Sequence, residues 1–195
     1  MRVAAGGGSF FWDEELSLTT LDSVVDRSLV DTLAAWQNLQ KATGRAVPSR
    51  KQFFPETVPG ARGRLSLWMV IAPEDGKGLD FEMIVQSSRT MMLYRLQPGR
   101  ITVGNLSNDG YRELMMAHFG HVCEQRVPLA TRIHLEREGH PTVFYDRLAV
   151  PFSEDGASIN YLLTCADFSV ETANAIRDTV PDFNQQSPGW SQKGS

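Results

Sequence analysis

Residues 140–168 read HPTVFYDRLAVPFSEDGASINYLLTCADF, with two alternating apolar runs on either side of one strong turn signal. Alternation of apolar and polar side chains is typical of β-strands. Between the runs, the polar residues 153–156 include Asp155-Gly156, which can adopt the positive φ of a tight turn. The pattern therefore predicts a β-hairpin, and because two strands alone are marginally stable in water, we expect other elements to cover it.

The composition is that of an ordinary globular protein and excludes several classes. The net charge of −4 and the absence of a basic run argue against nucleic acid as a partner. No apolar stretch approaches the roughly 20 residues that cross a bilayer, so we expect no membrane insertion, and the N-terminus lacks a signal pattern, so we expect a cytoplasmic protein. Cys123 and Cys165 are not spaced like metal ligands and are expected to be buried free thiols.

The segment before the hairpin contains a helix and a linker. Asp22 is a candidate N-cap, Gly44 a candidate helix end, and four apolar residues recur at helical spacing between them: Val25, Leu29, Leu33 and Trp36. The chain then divides into four segments: a flexible N-terminal arm (1–20), a flanking helix (21–44), a domain (45–168), and a short helix followed by a disordered tail (169–195).

Within the domain, further strands and a helix are predicted. Alternation over 65–71 and 79–83 predicts a second hairpin, and 129–135 predicts one more strand before the opening hairpin. A helix over 108–124 can be capped by Asn108 or Asp109. Residues 88–104 stay open between a short helix and a hairpin, because Pro98-Gly99 suits either.

This order gives an α+β fold with a five-stranded antiparallel sheet and inserted helices on one face. Trp36, the segment GRAVPSRKQFFPE at 44–56 and the segment RLAVPFSEDG at 147–156 resemble a bacterial, chiefly alphaproteobacterial, PAS-like family. The resemblance covers about residues 33–168. It implies a PAS-like fold and a role in sensing, regulation or scaffolding, and it brings no catalytic group with it.

A cavity between the sheet and the inserted helices is the expected ligand site. Asp146 shares a strand face with Phe144 and Leu148, where an unpaired carboxylate would be costly. It is either paired with an arginine of the inserted helices or anchors a polar ligand. The predicted ligand-binding residues are Met92, Met116, Phe119, Asp146 and Tyr161. The sequence does not identify a cofactor.

Other chemistry is sparse. His118 and His121 lie one helical turn apart and could bind a metal, but without a third ligand they are more simply a packing pair, so no metal site is predicted. No nucleophile elbow or phosphate loop occurs, and we expect no enzyme. The sequence favours a stand-alone PAS-type sensory or regulatory module acting through a homodimer and a protein partner. The alternative is a dedicated small-metabolite or cofactor-binding protein, with an enzyme a distant third.

Strand alternation also predicts the two faces of the sheet. Ten residues are expected to face the inserted helices: Leu67, Met69, Phe81, Met83, Ile133, Phe144, Leu148, Val150, Tyr161 and Leu163. Seven apolar residues would then remain on the outer face and form a homodimer surface together with the flanking helix: Trp68, Val70, Val143, Tyr145, Ala149, Leu162 and Ala166. The alternative is that the flanking helix and the N-terminal arm cover this face within one chain.

Overall fold

The computed structural model describes residues 2–5, 8–15, 26–72, 76, 78–88, 101–106 and 108–179. In these ranges the chain has an α+β fold, and its strands form one antiparallel sheet in the order β1-β2-β5-β6-β7-β3-β4. The strands are β1 (Arg2–Ala5), β2 (Gly8–Glu15), β3 (Leu65–Ile71), β4 (Asp80–Val85), β5 (Leu129–Glu136), β6 (Val143–Phe152) and β7 (Tyr161–Asp167). The helices are α1 (Arg27–Thr43), α2 (Asp109–Gln125) and α3 (Val170–Thr179). None of these helices is long and apolar enough to cross a bilayer.

The predicted β6–β7 hairpin lies at the centre of the sheet, and helices pack on both of its faces. Leu29 and Trp36 of α1 share an apolar cluster with Leu148 of β6, on what we call the α1 face. Phe119 of α2 and Ile176 of α3 share another cluster on the opposite side, the α2 face. The central strands are therefore apolar on both faces.

Helix α1 has local start and stop signals and one specific anchor on the sheet. It begins after Asp26, rather than after the predicted Asp22, because the Asp26 carboxylate accepts the backbone N–H of Ser28 at 2.7 Å. Gly44, at φ 65°, ends the helix as predicted. The buried Trp36 indole donates to the carbonyl of Pro151 at 2.8 Å and thereby fixes the helix on β6.

The two segments that resemble the PAS-like family meet in space. The Ser153 amide donates to the Pro48 carbonyl at 3.0 Å, and the Ser49 hydroxyl donates to the Glu154 carboxylate at 2.9 Å. The rings of Phe53 and Phe152 pack edge to face with centroids 5.3 Å apart. These residues join the linker to the β6–β7 turn and have a structural role.

Helix α2 begins as the sequence predicts. Asn108 is its N-cap and accepts the Tyr111 amide at 2.9 Å. The same side chain donates to the Thr179 carbonyl at 3.1 Å, so it joins the start of α2 to the end of α3. Residues 89–100, which contain most of the segment left open between helix and hairpin, lie outside the described ranges, and the chain resumes with a 3-10 turn at Val103–Asn105.

The N-terminal segment differs from the prediction, because residues 2–5 and 8–15 form β1 and β2 where a flexible arm was expected. The five predicted strands are all present, and these two additional strands extend the sheet beyond β5. Phe10 is fully buried and packs on Tyr111 with ring centroids 5.1 Å apart. The segment is therefore part of the core. The short helix predicted after the domain is present at Val170–Thr179, whereas residues 180–195, predicted as a disordered tail, lie outside the described ranges.

The predicted assignment of strand faces was correct for part of the set and wrong for the rest. Phe81, Met83 and Ile133 belong to the α2 face, the side of the inserted helix, as predicted. The others that lie in an apolar cluster belong to the α1 face, among them Leu67, Leu148, Val150 and Leu163. Phe144, predicted to be in the core, is 51% exposed.

One cause of the error is that central strands with apolar residues on both sides do not indicate which face meets which helix. A second is a register shift between Leu67 and Trp68, which places Met83 opposite Trp68.

This error in the face assignment removes the basis of the predicted dimer surface. Five of the seven residues assigned to it are buried within the chain in the cluster of the α2 face: Trp68, Val143, Tyr145, Ala149 and Leu162. Val70 and Ala166 are half-buried beside the same cluster. The chain therefore covers this surface itself.

Candidate functional site

A cavity of about 30 Å³ lies on the α2 face, between the sheet and the helices α2 and α3. This volume can hold about two water molecules, since one needs roughly 10–15 Å³. Its wall combines aromatic rings, hydroxyl groups and one guanidinium group, and it includes Trp68, Tyr111, Phe119, Tyr145, Arg147 and Thr164.

Arg147 is the unusual member of this wall. It lies on β6 and is only 3% exposed. Its Nη1 contacts the sulfur of Met115, a weak acceptor, and its guanidinium carbon lies 5.4 Å from the centroid of the Phe119 ring. Within the described residues, its Nε and Nη2 have no hydrogen-bond partner. The guanidinium is thus buried without a carboxylate partner in the part of the chain that the structure describes.

Such an arrangement is costly, because arginine stays protonated in proteins and a buried charge needs a partner of opposite sign. The ring of Phe119 contributes only about 0.5–2 kcal/mol of cation–π stabilisation. The effective penalty for burying one unpaired ion is several kcal/mol. The site therefore favours the binding of an anion.

Two more buried groups near Arg147 lack partners among the described residues. Thr131 lies directly opposite Arg147 on β5, and its hydroxyl has no hydrogen-bond partner. His118 of α2 is fully buried, and neither of its ring nitrogens has one. Buried polar groups in folded proteins are normally satisfied, so this cluster of Arg147, Thr131 and His118 is typical of a place where water or a ligand binds.

Two ionisable groups beside Arg147, His118 and Tyr145, are neutral at pH 7. Burial lowers the pKa of His118 well below its ordinary value of 6.5, and the nearby charges of Arg147 and His121 lower it further. Burial also raises the pKa of Tyr145 well above 10.0, with further contributions from Tyr111, whose side chain is hydrogen-bonded to it. Arg147 therefore carries the only positive charge in the cluster of Arg147, Thr131 and His118, and a tyrosinate does not neutralise it.

The predicted role of Asp146 is resolved by its neighbour on β5. Arg132 donates from Nε and Nη2 to the two carboxylate oxygens at 2.8 and 2.9 Å. Asp146 lies on the α1 face, and its partner comes from a strand rather than from an inserted helix. Asp146 is therefore half of an ion pair, and the hypothesis that it anchors a ligand was wrong.

The other predicted site residues are also separated. Met116 and Phe119 belong to α2, and of these two Phe119 lines the cavity. Tyr161 packs on the α1 face, together with Leu148 and across the sheet from the cavity. Met92 lies outside the described residues. The structure therefore does not bring the predicted set together.

Sequence reasoning missed Arg147, Tyr111, Tyr145 and Thr131. A signal was present for Arg147, because a charged residue within a ten-residue strand must face one of two apolar layers. The role of polar site residue was predicted for Asp146, whereas the structure places Arg147, the next residue, at the cavity.

Metal binding and thiol chemistry find no support in the described residues. No group of three potential metal ligands occurs among them, so His118 and His121 do not form part of such a site. Both cysteines are free thiols, as predicted, but of the two only Cys165 is buried and Cys123 is half-buried. Burial raises the pKa of Cys123 to about 12 and also raises that of Cys165, so both are protonated at neutral pH.

Comparison of the chain with protein-family models, with curated proteins and with solved structures gives no match. The resemblance to a PAS-like family therefore stays a prediction from residues 44–56 and 147–156.

Proposed function

We propose that the protein is a PAS-type sensory or regulatory module that binds a small molecule in the cavity on the α2 face. The observation that carries this proposal is the buried guanidinium of Arg147, which has two nitrogen atoms without an acceptor among the described residues. An unpaired buried guanidinium destabilises the folded protein, whereas a bound ligand would supply the acceptors that it lacks.

The topology supports the PAS-like part of the proposal. The five strands predicted from the sequence form one continuous block, β4-β3-β7-β6-β5. In this block, the first hairpin lies beside the last strand, and α2 is inserted after the second strand of the block.

Ligand binding can be transmitted through the helices that line the cavity. Tyr111 and Met115 come from α2, and Ile176 comes from α3. Asn108 joins the two helices at one end. A ligand that displaces either helix would therefore move both. Such a ligand would bind the two helix positions with different affinity, which is what a regulatory change requires.

The proposal is tested with the full chain. Native mass spectrometry should detect non-protein mass above 21.7 kDa, or calorimetry with a panel of neutral, cationic and anionic metabolites should detect a ligand. A ligand at about 100 times its Kd should raise the free energy of unfolding by about 2.7 kcal/mol.

A matched pair of substitutions localises the binding. Ala166→Leu should fill the cavity and abolish binding, because Ala166 lines its wall. Ala157→Leu makes the same change at an exposed position of the β6–β7 turn and should have no effect. Absence of binding by every class of compound, or equal binding by Ala166→Leu, would reject the proposal.

We also propose a homodimer, on a surface different from the one predicted. Phe144 is 51% exposed on the α1 face, where the guanidinium of Arg132 lies 4.5 Å from its ring centroid. His134, beside it, stacks on Phe11. Light scattering should give a mass of twice 21.7 kDa for the unmodified chain, and Phe144→Glu should reduce it to the monomer mass of 21.7 kDa. A monomer mass for the unmodified chain would reject the homodimer and leave another regulatory protein as the partner.

A further inference from the structure

We propose that the ligand is a short-chain monocarboxylate whose two oxygens pair with the guanidinium of Arg147 and whose apolar end packs against the aromatic wall of the cavity. This inference rests on the proposed function, because it names the ligand class for the same cavity.

The protein already contains one pair of the proposed kind. Arg132 holds the two oxygens of Asp146 with its Nε and Nη2, at 2.8 and 2.9 Å. The same two atoms of Arg147 lack an acceptor among the residues that the structure describes. Two parallel N–H groups match the spacing of carboxylate oxygens, so a carboxylate satisfies both at once.

Thr131 supplies a second kind of contact. It lies opposite Arg147 on the neighbouring strand, and its buried hydroxyl has no partner in the described part of the chain. Directly opposite residues of an antiparallel pair have their Cβ atoms about 4.5–5.5 Å apart, so Thr131 lies beside Arg147, next to the cavity wall and not part of it. In this proposal its hydroxyl donates a hydrogen bond to the carboxylate held by Arg147.

The charge of the site selects a monoanion. Arg147 provides one positive charge, and the neighbouring His118 is neutral because burial and the Arg147 charge lower its pKa. A phosphate dianion would keep about one uncompensated negative charge in a buried site, which is costly. One carboxylate leaves the site neutral.

The size and polarity of the wall select the rest of the ligand. Trp68, Phe119, Phe168 and Ile176 give the wall a largely apolar surface. A volume of about 30 Å³ holds about two water molecules, so it accommodates only a very small ligand. A carboxylate with a chain of roughly one or two carbons is therefore the class that fits.

Binding also requires a small movement of Arg147. Its Nε and Nη2 are shielded from solvent, so the guanidinium has to turn towards the cavity to meet the ligand. This turn breaks the contact with the Met115 sulfur and the ring contact with Phe119, both of which are weak.

The test is a calorimetric titration of the full chain with formate, acetate and butyrate at constant ionic strength. Acetate should bind saturably and about fourfold more tightly than formate, because it buries one more carbon. Butyrate should bind more weakly than acetate, because its chain is too large for the cavity. Acetamide, the neutral analogue, should bind at least about tenfold more weakly than acetate because it cannot pair with the charge. Inorganic phosphate should show no saturable binding.

Variants test the assigned residues. Arg147→Met should abolish acetate binding and raise the unfolding temperature of the unliganded protein, since it removes an uncompensated buried charge. Arg147→Lys keeps the positive charge but lacks the two parallel N–H groups, and it should bind the carboxylate at least about tenfold more weakly. Thr131→Val should weaken binding by about tenfold. Arg62→Gln removes an exposed charge and should change neither the ligand affinity nor the unfolding temperature.

Several outcomes would overturn the inference. Acetate binding by Arg147→Met at unchanged affinity would do so, as would tighter binding of phosphate than of acetate. A lower unfolding temperature for Arg147→Met would assign the guanidinium a structural role instead. Binding of only neutral or cationic compounds would overturn this inference and leave the proposed function standing, whereas binding of no compound would reject both.

Discussion

Leu148 lies in the middle of β6 and is fully buried against α1. Leu148→Ala should lower the free energy of unfolding by about 2–5 kcal/mol, because it removes apolar contacts and leaves a cavity. Urea unfolding measures this change. Val127→Ala is the control, since Val127 is half exposed and its truncation should change stability by less than about 0.5 kcal/mol. Equal losses for the two variants would contradict the packing described for β6.

The Arg132–Asp146 pair should stabilise less than its geometry suggests. Asp146→Ala removes the carboxylate partner of a mostly buried guanidinium and should cost about 2–4 kcal/mol, somewhat below the ~3–5 kcal/mol of a fully buried pair. The double variant Arg132→Met with Asp146→Leu should recover most of that loss, because neither charge is left behind. Both are measured by denaturant unfolding, and a double variant as unstable as the single one would contradict this reasoning.

At the level of single residues, the sequence identified some roles and missed others for one physical reason. Gly44 and Asn108 were predicted correctly because their roles as helix end and N-cap depend on neighbours within a few positions. Arg147 was missed because its importance depends on what is absent around it: an acceptor for Nε and Nη2 among the described residues. Only the packed structure reveals such an absence.

Among the elements, the connection between α2 and α3 depends on Asn108. Asn108→Ala removes the cap and the bond to the Thr179 carbonyl, and should lower the free energy of unfolding by about 2–4 kcal/mol. Asn108→Ser keeps a capping oxygen but is too short to reach Thr179, so about half of that loss should remain. The measurement is thermal or denaturant unfolding. If Asn108→Ser is as unstable as Asn108→Ala, the cap contributes nothing.

Elements with local signals were predicted well, and elements that depend on distant partners were not. Both predicted hairpins and α2 follow from alternation, turn residues and caps. The β1 and β2 strands were not predicted, because the Gly-rich segment 1–15 has weak strand propensity and is held as a strand by pairing with β5. The neighbouring strands provide hydrogen bonds to β1 and β2 that the local sequence does not indicate.

For the molecule as a whole, the fold class was predictable and the orientation of the layers was not. The α+β class follows from the order of the elements. The orientation depends on which face of the central strands meets which helix, and alternation does not indicate this when both faces are apolar. The register shift beside Trp68 adds to the difficulty, because it exchanges the two faces of β4 relative to β3.

The stability of the whole protein should depend on pH through His118. Burial lowers the pKa of this imidazole well below 6.5 in the folded state, and Arg147 and His121 add to the effect. The unfolded chain therefore binds the proton more tightly, and the free energy of unfolding falls as the pH drops below 6.5, by up to about 1.4 kcal/mol per pH unit. Above that pH the imidazole is neutral in both states and contributes no slope.

Denaturant unfolding from about pH 8 to about pH 5 measures this dependence, and His118→Phe should remove most of it. The pH range in which Asp26 affects stability does not overlap with the range measured for His118. Partial burial would raise the pKa of Asp26, but hydrogen bonds from Ser28 and the charge of Arg64 lower it from its ordinary 3.8. Its contribution is therefore present above about pH 4 and is lost as the pH falls further. An unchanged slope in His118→Phe would assign the acid sensitivity to another group.

The long-range contacts of α1 and its linker have a consequence for protein synthesis. Trp36 bonds to Pro151 across 115 positions, Ser49 to Glu154 across 105, and Arg64 to Asp167 across 103. A ribosome adds about 5–20 residues per second, so the nascent helix waits roughly 6–23 seconds before its docking site has been made. During that interval its apolar stripe is open to solvent and to chaperones. A ribosome that stalls between residues 64 and 151 therefore displays an undocked helix, and pulse proteolysis of such stalled chains should cleave near Trp36 until β6 has emerged.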